Sequence, residues 1–302
     1  MSQKTKVITT GINGLVGSKF KDLFAEKYEI INLGLDEKNK ATDITDITSV
    51  EEAIQTQTEA KTILHLAAFT DVNAAFKQTD DKNGLAYRVN VIGTKNIVEM
   101  AKSYQKKLIL VSTAYVFDGQ KEELYSEEDE THPIEWYGQT KRWAEEVLIE
   151  SDLQDWVILR IDQPFAAKAQ TKPDIVQKII GGIKTAQLYP QFTNHFFGPT
   201  YIDDFAKVME MFVRRQNLSG IYHASGGEKW SDFDFAQMIA EKCGFNYKIS
   251  AGNLVEYLKT AQRPYQKNTA LKIEKLRSIL DFPLKTINEA LDEVARFNHA
   301  TN

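Results

Sequence analysis

Tyr137 and Lys141 lie four residues apart in "WYGQTKRWAEEVL", residues 136–148, a stretch that reads as a helix. Positions i and i+4 share one helix face, so a phenol and an ammonium placed there reach a common cleft. A free phenol titrates near ~10, too high for easy proton exchange at neutral pH. A nearby ammonium favours the phenolate, and the pair would make an acid/base of matched strength. Upstream, "LILVSTAYVFDG" is an apolar strand ending in Ser112 and Thr113, where a hydroxyl can meet a bound carbonyl. Thr113, Tyr137 and Lys141 together suit hydride transfer between a nicotinamide and a substrate carbon. Tyr137 would donate or accept the oxygen's proton, and Thr113 would hold that oxygen. Lys141 would contact the nicotinamide ribose while tuning the phenol.

A nicotinamide dinucleotide needs a cradle for its pyrophosphate. "TTGINGLVGSKF" supplies the spacing G-x-x-G-x-x-G through Gly11, Gly14 and Gly17, between a strand and a helix. The first two glycines permit a tight turn and close backbone approach, and the third lets the helix pack on the sheet. The helix start adds amides and a partial positive charge. Asn13, Leu15 and Val16 complete the expected cofactor contacts in this turn. At the end of the second strand, "INLGLDEKNK" has Gly34 where a ribose-binding acid would be expected, with Asp36 two residues on. Lys38 and Lys40 could neutralise a 2′-phosphate or be ordinary loop charges. NAD and NADP both stay open, with a slight lean to NADP.

The elements that would position these groups alternate. Short apolar runs at Lys6–Thr10, Glu29–Leu33, Thr62–Leu66, Leu108–Ser112 and Val157–Ile161 suit strands covered on both faces. Helical stretches at Val16–Lys27, Val50–Gln57, Ala86–Ser103 and Gly138–Glu150 lie between them. This predicts an α/β fold, a doubly wound parallel sheet of the Rossmann type, with a second, smaller α/β substrate-binding lobe. The expected division is 1–162 for the dinucleotide-binding part, joined by about 196–224, and 163–302 for the discontinuous smaller lobe. Helices are expected there at Asp174–Thr185, Asp203–Arg215, Ser231–Lys242 and Thr286–Phe297, with one more strand at Ile221–Ala224.

The chain has 302 residues, 42% hydrophobic and 26% charged, which fits a globular protein rather than a disordered one. A net charge of −5 gives no footprint for nucleic acid. The basic pairs Lys106–Lys107 and Arg214–Arg215 read as solvated helix ends. The single cysteine, Cys243, excludes an intramolecular disulfide and reads as a small buried hydrophobe. No apolar run approaches the ~18 residues of a membrane span, and "MSQKTKVITTG" enters a strand without room for a signal peptide. The expectation is a cytoplasmic protein without membrane or nucleic-acid partners. No His/Cys/Asp cluster has metal-ligand spacing, so no metal is expected. His65 reads as a packing residue or a backbone-orienting donor, and His195 as a loop residue bordering the cleft. The acidic run "EELYSEEDET" reads as a solvated loop.

"TGINGLVG", "STAYVFDG" and "YGQTK" in this order resemble an extended short-chain dehydrogenase/reductase, and most closely the dTDP-4-dehydrorhamnose reductase-like, sugar-nucleotide-binding branch. The resemblance implies an oxidoreductase that reduces a nucleotide-linked 4-keto-6-deoxy sugar. "TDITD" is similar to that branch's adenine-contacting motif and implicates Asp43 and Ile44. "HLAAFTDVNAA" implies Leu66, Ala67 and Ala68 beside the cofactor and Thr70 and Val72 near substrate. "YRVNVIGTKNI" carries Asn90, matching an asparagine that supports the site in relatives. Ala114, Tyr115 and, in "RPYQKNTALKIEKL", Arg263 are implied substrate contacts. Ala114 stands where an aspartate is usual, and "RIDQPFAA" replaces a "RTSWVYA"-like segment with a substrate-facing tryptophan. An epimerase of the same family shares the Tyr/Lys pair. "NHFFGPTYIDDFAKV" is equally similar to an NADP-binding regulatory subunit of methionine adenosyltransferase, so a non-catalytic role is a third reading. The resemblance also makes a homodimer possible.

Overall fold

Six apolar runs become parallel strands because both their faces are covered. In the computed structural model, which describes residues 4–34, 41–168 and 172–300, they are β1 (Thr5–Thr10), β2 (Tyr28–Leu33), β3 (Thr62–His65), β4 (Lys107–Thr113), β5 (Trp156–Ile161) and β6 (Gly220–His223). Their order is β6-β5-β4-β3-β1-β2, all parallel. Alternate residues go to opposite faces. Val7, Leu64, Ile109 and Leu159 enter one core, and Ile8, Ile63, Leu108 and Ile158 the other. Each such side chain contributes about 1.5–3 kcal/mol on leaving water.

The helices are α1 (Leu15–Phe24), α2 (Ile47–Ile54), α3 (Thr94–Ser103), α4 (Trp136–Ile149), α5 (Ile175–Lys184), α6 (Ile202–Arg214), α7 (Asp232–Lys242) and α8 (Ile287–Ala300). Helices α1 and α6 cover the first face through Phe20, Phe205 and Phe212. Helices α2, α3 and α4 cover the second through Val50, Ile97 and Leu148. Because β2 and β3 flank β1 on opposite sides, the order in which strands are added to the sheet reverses between β1 and β3. That reversal opens a crevice at the carboxyl ends of the strands. A third core joins Ile179 of α5, Phe235 and Ile239 of α7 and Leu291 of α8 to Phe165 and Phe197.

Two local readings need correction. The stretch 86–103 is not one α-helix: Leu85–Tyr87 runs into a π-helical turn at Arg88–Gly93, which then continues as α3. Lys106 and Lys107 are not solvated. They are 3% and 2% exposed, and their ammoniums donate to the carbonyls of Gln57 and Ala60, and of Arg215 and Leu218. Backbone carbonyls at the amino end of the sheet replace water around both charges. Arg214 and Arg215 both pair with Asp281 at 2.8 Å. Among the described residues no helix is long and apolar enough to cross a membrane.

Candidate active site

The glycine turn lies at the crevice. Gly11 adopts φ +69°, and a Cβ there would fall 2.6 Å from the Ala67 amide nitrogen. A Cβ on Gly17 would meet Ile12 Cα at 2.6 Å, which explains a glycine where α1 presses on the turn. Gly14 caps α1 without a side-chain hydrogen bond. The amides of the first turn, at Leu15 and Val16, therefore remain free of any capping side chain beside the exposed Asn13. A dinucleotide pyrophosphate fits such a cradle.

The strand ends around this turn are tied by one hydrogen-bonded chain. Leu66 and Ala67 amides donate to Thr10 Oγ1 at 3.2 and 3.1 Å. Thr10 Oγ1 lies 2.6 Å from His65 Nδ1, and His65 Nε2 lies 3.1 Å from Thr94 Oγ1. Thr94 donates to Asn90 O at 2.6 Å. Thr94 must then accept from Nε2–H, which leaves Nδ1 to accept from Thr10. Burial holds this neutral imidazole down at about 3, helped by the Lys141 charge. Asn90, in the π-helical turn, accepts from the Phe69 amide at 2.7 Å and donates to Thr140 Oγ1 at 2.9 Å. It therefore holds α4 against the end of β3, and Ala68 lies in the segment between. Ile44 packs where Gly93 lacks a side chain and accepts from Asn96, while Asp43 is exposed and accepts from the Thr45 amide. Asp36, Lys38 and Lys40 lie outside the described residues.

Helix α4 presents the expected catalytic pair, Tyr137 and Lys141. Glu135 caps it, accepting from the amides of Tyr137 and Gly138 at 3.0 and 2.7 Å. A Cβ on Gly138 would lie 2.1 Å from Tyr115 O, so only glycine lets α4 approach the turn Ala114–Val116 this closely. The Thr113 hydroxyl interacts with the Tyr137 phenol and favours its ionised form, and the Tyr115 ring sits edge-on to Tyr137 at 5.8 Å. Lys141, 3% exposed, donates to Val111 O at 2.9 Å. Burial pulls its ammonium down to about 8, with Glu145 opposing.

The expected lowering of the phenol by Lys141 is not what the structure shows. Desolvation raises Tyr137, the charges of Glu135 and Asp162 add to that, and the Thr113 hydroxyl opposes it.

Arg263 Nε donates to Asn73 Oδ1 at 3.2 Å, its guanidinium stacks on Tyr265 at 3.9 Å, and its charge acts on Tyr115. Val72 packs into the cluster containing Tyr137, and Ala114 is fully buried. Thr70 is exposed two residues before Val72. His195 Nδ1 meets Asp232 at 2.7 Å.

The sequence reading missed three features of this region. Asp162, directly after β5, is 1% exposed, and burial pushes its carboxyl up to about 7 against the bonds from Gly198 and Thr269. Gln163 beside it adopts φ +37° without being glycine. The acidic loop is also better anchored than expected. Tyr125 in it is buried, stacks on Phe117 and donates to Asp118, while Glu127 accepts from the His223 amide. Only Glu122, Glu123, Glu128 and Glu130 of that run's carboxylates are exposed. An acid following "WVILRI" was the available signal for Asp162.

The dTDP-4-dehydrorhamnose reductase of Aggregatibacter actinomycetemcomitans is 27% identical over 97% of this chain and 99% of its own. Methionine adenosyltransferase 2 subunit beta of Rattus norvegicus is 26% identical over 91% of this chain and 82% of its own. A crystal structure of dTDP-4-dehydrorhamnose reductase from Bacillus anthracis in complex with NADP superposes with a TM-score of 0.85 at 28% identity, covering 99% of this chain and all of that one. The family described as the RmlD substrate binding domain matches residues 5–298. That match takes in the glycine turn and helix α4 as well as the third core, and on its extent this chain belongs to the RmlD substrate binding domain family.

Proposed function

We propose that this protein is an NAD(P)-dependent reductase of a nucleotide-linked 4-keto-6-deoxy sugar, with Tyr137 as its acid/base. The observation that carries this reading is the meeting of Thr113, at the end of β4, with the buried Tyr137, while Lys141, one turn along α4, is tied to Val111 O of the same strand. The named reductases among its relatives support the substrate class, and the NADP-bound relative supports NADP. The cofactor, cradled by Gly11, Gly14 and the α1 amides with Ala67 at its side, supplies the hydride when bound. Thr113 holds the substrate carbonyl oxygen. Tyr137 gives that oxygen its proton as the carbon is reduced, leaving a phenolate that the Thr113 hydroxyl favours, while Lys141, charged below pH about 8, would contact the nicotinamide ribose. Burial of Tyr137 keeps the proton on the phenol until negative charge develops on the substrate oxygen.

The proposal includes the lobe division expected from sequence. The sheet with about 196–224 would hold the cofactor, and the remainder of 163–302, built on the third core, would hold the sugar nucleotide. It also assigns the protein to the cytoplasm, with a homodimer as the state its family resemblance implies.

The test mixes purified protein with NADPH, then NADH, and a dTDP-linked 4-keto-6-deoxy sugar, following loss of reduced-nicotinamide absorbance. Turnover should fall about a thousandfold in Tyr137→Phe with NADPH binding retained. Absence of turnover in the unaltered protein, with cofactor bound, would reject the reductase. It would favour the regulatory role suggested by the methionine adenosyltransferase relative.

A further inference from the structure

We infer that Asp162 is a specificity-determining residue of the sugar pocket, accepting through Oδ1 a hydrogen bond from a hydroxyl of the bound sugar. The inference rests on the sugar-nucleotide reading above.

Asp162 follows β5 directly, one residue beyond Ile161, which pairs in register with Thr113 of β4. It therefore sits at the carboxyl edge beside the reacting groups, and its charge acts on both Tyr137 and Tyr115. One half of the carboxylate is fully engaged: Oδ2 accepts from the Gly198 amide at 2.8 Å and from Thr269 Oγ1 at 2.7 Å. The backbone is pinned as well. Thr200 Oγ1 accepts from the Asp162 amide at 3.1 Å and donates to its carbonyl at 2.6 Å. Gln163, held at φ +37°, accepts from the Thr200 amide. Non-glycine residues stay in that region only where their surroundings over-determine them, and such positions gather at ligand clamps.

Oδ1 is buried and has no partner among the described residues. Most buried polar side-chain atoms have a partner, and burial raises the Asp162 carboxyl to about 7, a cost that a donor reaching Oδ1 would relieve. Among the described residues Asp203 Oδ1 and Arg142 Nε are unpartnered atoms of charged groups too, but both side chains are part-exposed and ion-paired, Asp203 with Lys19 at 3.2 Å and Arg142 with Glu146 at 2.9 Å, whereas Asp162 is 1% exposed. The rigid frame fixes Oδ1 in position and leaves its valence open. A sugar hydroxyl supplies the missing donor, and it distinguishes this pocket from one lined by an aromatic ring at the same strand end. Asp162 also joins three separate stretches, β5, the Gly198 loop and the Thr269 segment, so its free oxygen lies where the smaller lobe meets the sheet.

The experiment compares calorimetric titrations of dTDP and dTDP-rhamnose, with NADP+ present, into the unaltered protein and Asp162→Asn. Asparagine keeps an oxygen for Gly198 and Thr269 and replaces the free acceptor by a donor. The unaltered protein should prefer dTDP-rhamnose over dTDP by about tenfold or more, and Asp162→Asn should lose that preference while keeping its dTDP affinity. A dTDP sugar lacking the one contacting hydroxyl should bind the unaltered protein as weakly as dTDP-rhamnose binds the variant. This second arm requires no altered protein to fold. Retention of the full preference in Asp162→Asn would overturn the inference and leave a bound water as the partner of Oδ1. Equal binding of dTDP and every dTDP sugar by the unaltered protein would overturn it too. A preference lost in Asp162→Asn, in a protein that reduces no sugar, would uphold this inference and reject the reductase. Reduction with an undiminished preference would do the reverse.

Discussion

At the amino end of β4, Lys107 is buried and its ammonium donates to the carbonyls of Arg215 and Leu218, both at 2.8 Å, with Asp155 at 3.5 Å. At the carboxyl end of the same strand, Ser112 is equally buried and its hydroxyl has no partner. Neighbouring β5 repeats the contrast at its carboxyl end, where Asp162 has one oxygen doubly bonded and the other bonded to nothing. Burial therefore does not separate structural polar groups from functional ones here. Under the proposed function, spare hydrogen-bonding capacity is what marks the groups at the carboxyl ends, because folding alone gains nothing from a polar atom left unpaired. Lys107 and Lys141 make the sharpest pair: two buried ammoniums, one on β4 and one on the helix α4 packed over it, both lowered chiefly by desolvation. Lys107 reaches two carbonyls and an aspartate, whereas Lys141 donates to Val111 O alone among the described residues.

The strongest way to break this comparison is Lys141→Met. If the ammonium serves chemistry, kcat should fall about a hundredfold or more, while the urea midpoint stays within error. Loss of the bond to Val111 O is offset by removal of a buried charge. The unaltered protein should show the same dependence on pH. Free-enzyme kcat/KM reports the ammonium's own titration, so it should decline as pH rises through about 8. Stability moves the other way. Lys141 in the folded state binds fewer protons than the unfolded chain between pH 8 and its ordinary 10.5, so its contribution favours folding increasingly as pH rises through that window. A variant that unfolds readily and retains its kcat would reverse the roles assigned to the two ends.

Lys107→Met probes the other end and should do the opposite. It removes the donor to the carbonyls of Arg215 and Leu218 and the partner of Asp155, at a cost of roughly 2 kcal/mol, read as a lowered urea midpoint with unchanged slope. Turnover per folded molecule should be unaffected. Reduced kcat at constant stability would mean that the amino end communicates with the site, and the comparison would fail.

The same logic explains what could be read from sequence. Six strands were legible to within two residues because a parallel strand buried on both faces must be largely apolar, as "TILH" and "VILRI" are. Gly11 and Gly17 were legible because their backbone leaves no room for a Cβ. Lys106–Lys107 was misread since a basic pair looks alike whether water or carbonyl oxygens surround it. The π-helical turn at Arg88–Gly93 inserts a register shift that leaves helical composition intact, so only coordinates reveal it. Asp162 depends on partners 36 and 107 residues away, Gly198 and Thr269, and no local spacing encodes those. The acidic loop was half legible: its exposed glutamates follow composition, but the stacking of Tyr125 on Phe117 does not.

His65 separates position from valence and supplies the smallest effect to look for. It lies at the carboxyl end of β3, with the site residues, yet both its ring nitrogens are engaged, by Thr10 and Thr94. On valence it belongs with Lys107 as a holder of structure. Its ordinary value of 6.5 is depressed to about 3 by burial, so between those values the unfolded chain binds a proton that the folded protein refuses. Stability should therefore fall as pH drops from 6.5 toward 3, by about 1.4 kcal/mol for each pH unit well inside that window. His223, also buried and lowered to about 3, adds a parallel loss. Replacing His65 with Gln, which keeps a donor and an acceptor but does not titrate, should flatten part of the acid limb of the urea midpoint. At neutral pH it should cost only the difference in fit, about 1 kcal/mol. Were His65 instead a proton carrier for Tyr137, the same variant would shift the pH profile of kcat and leave the acid limb of stability as steep as before.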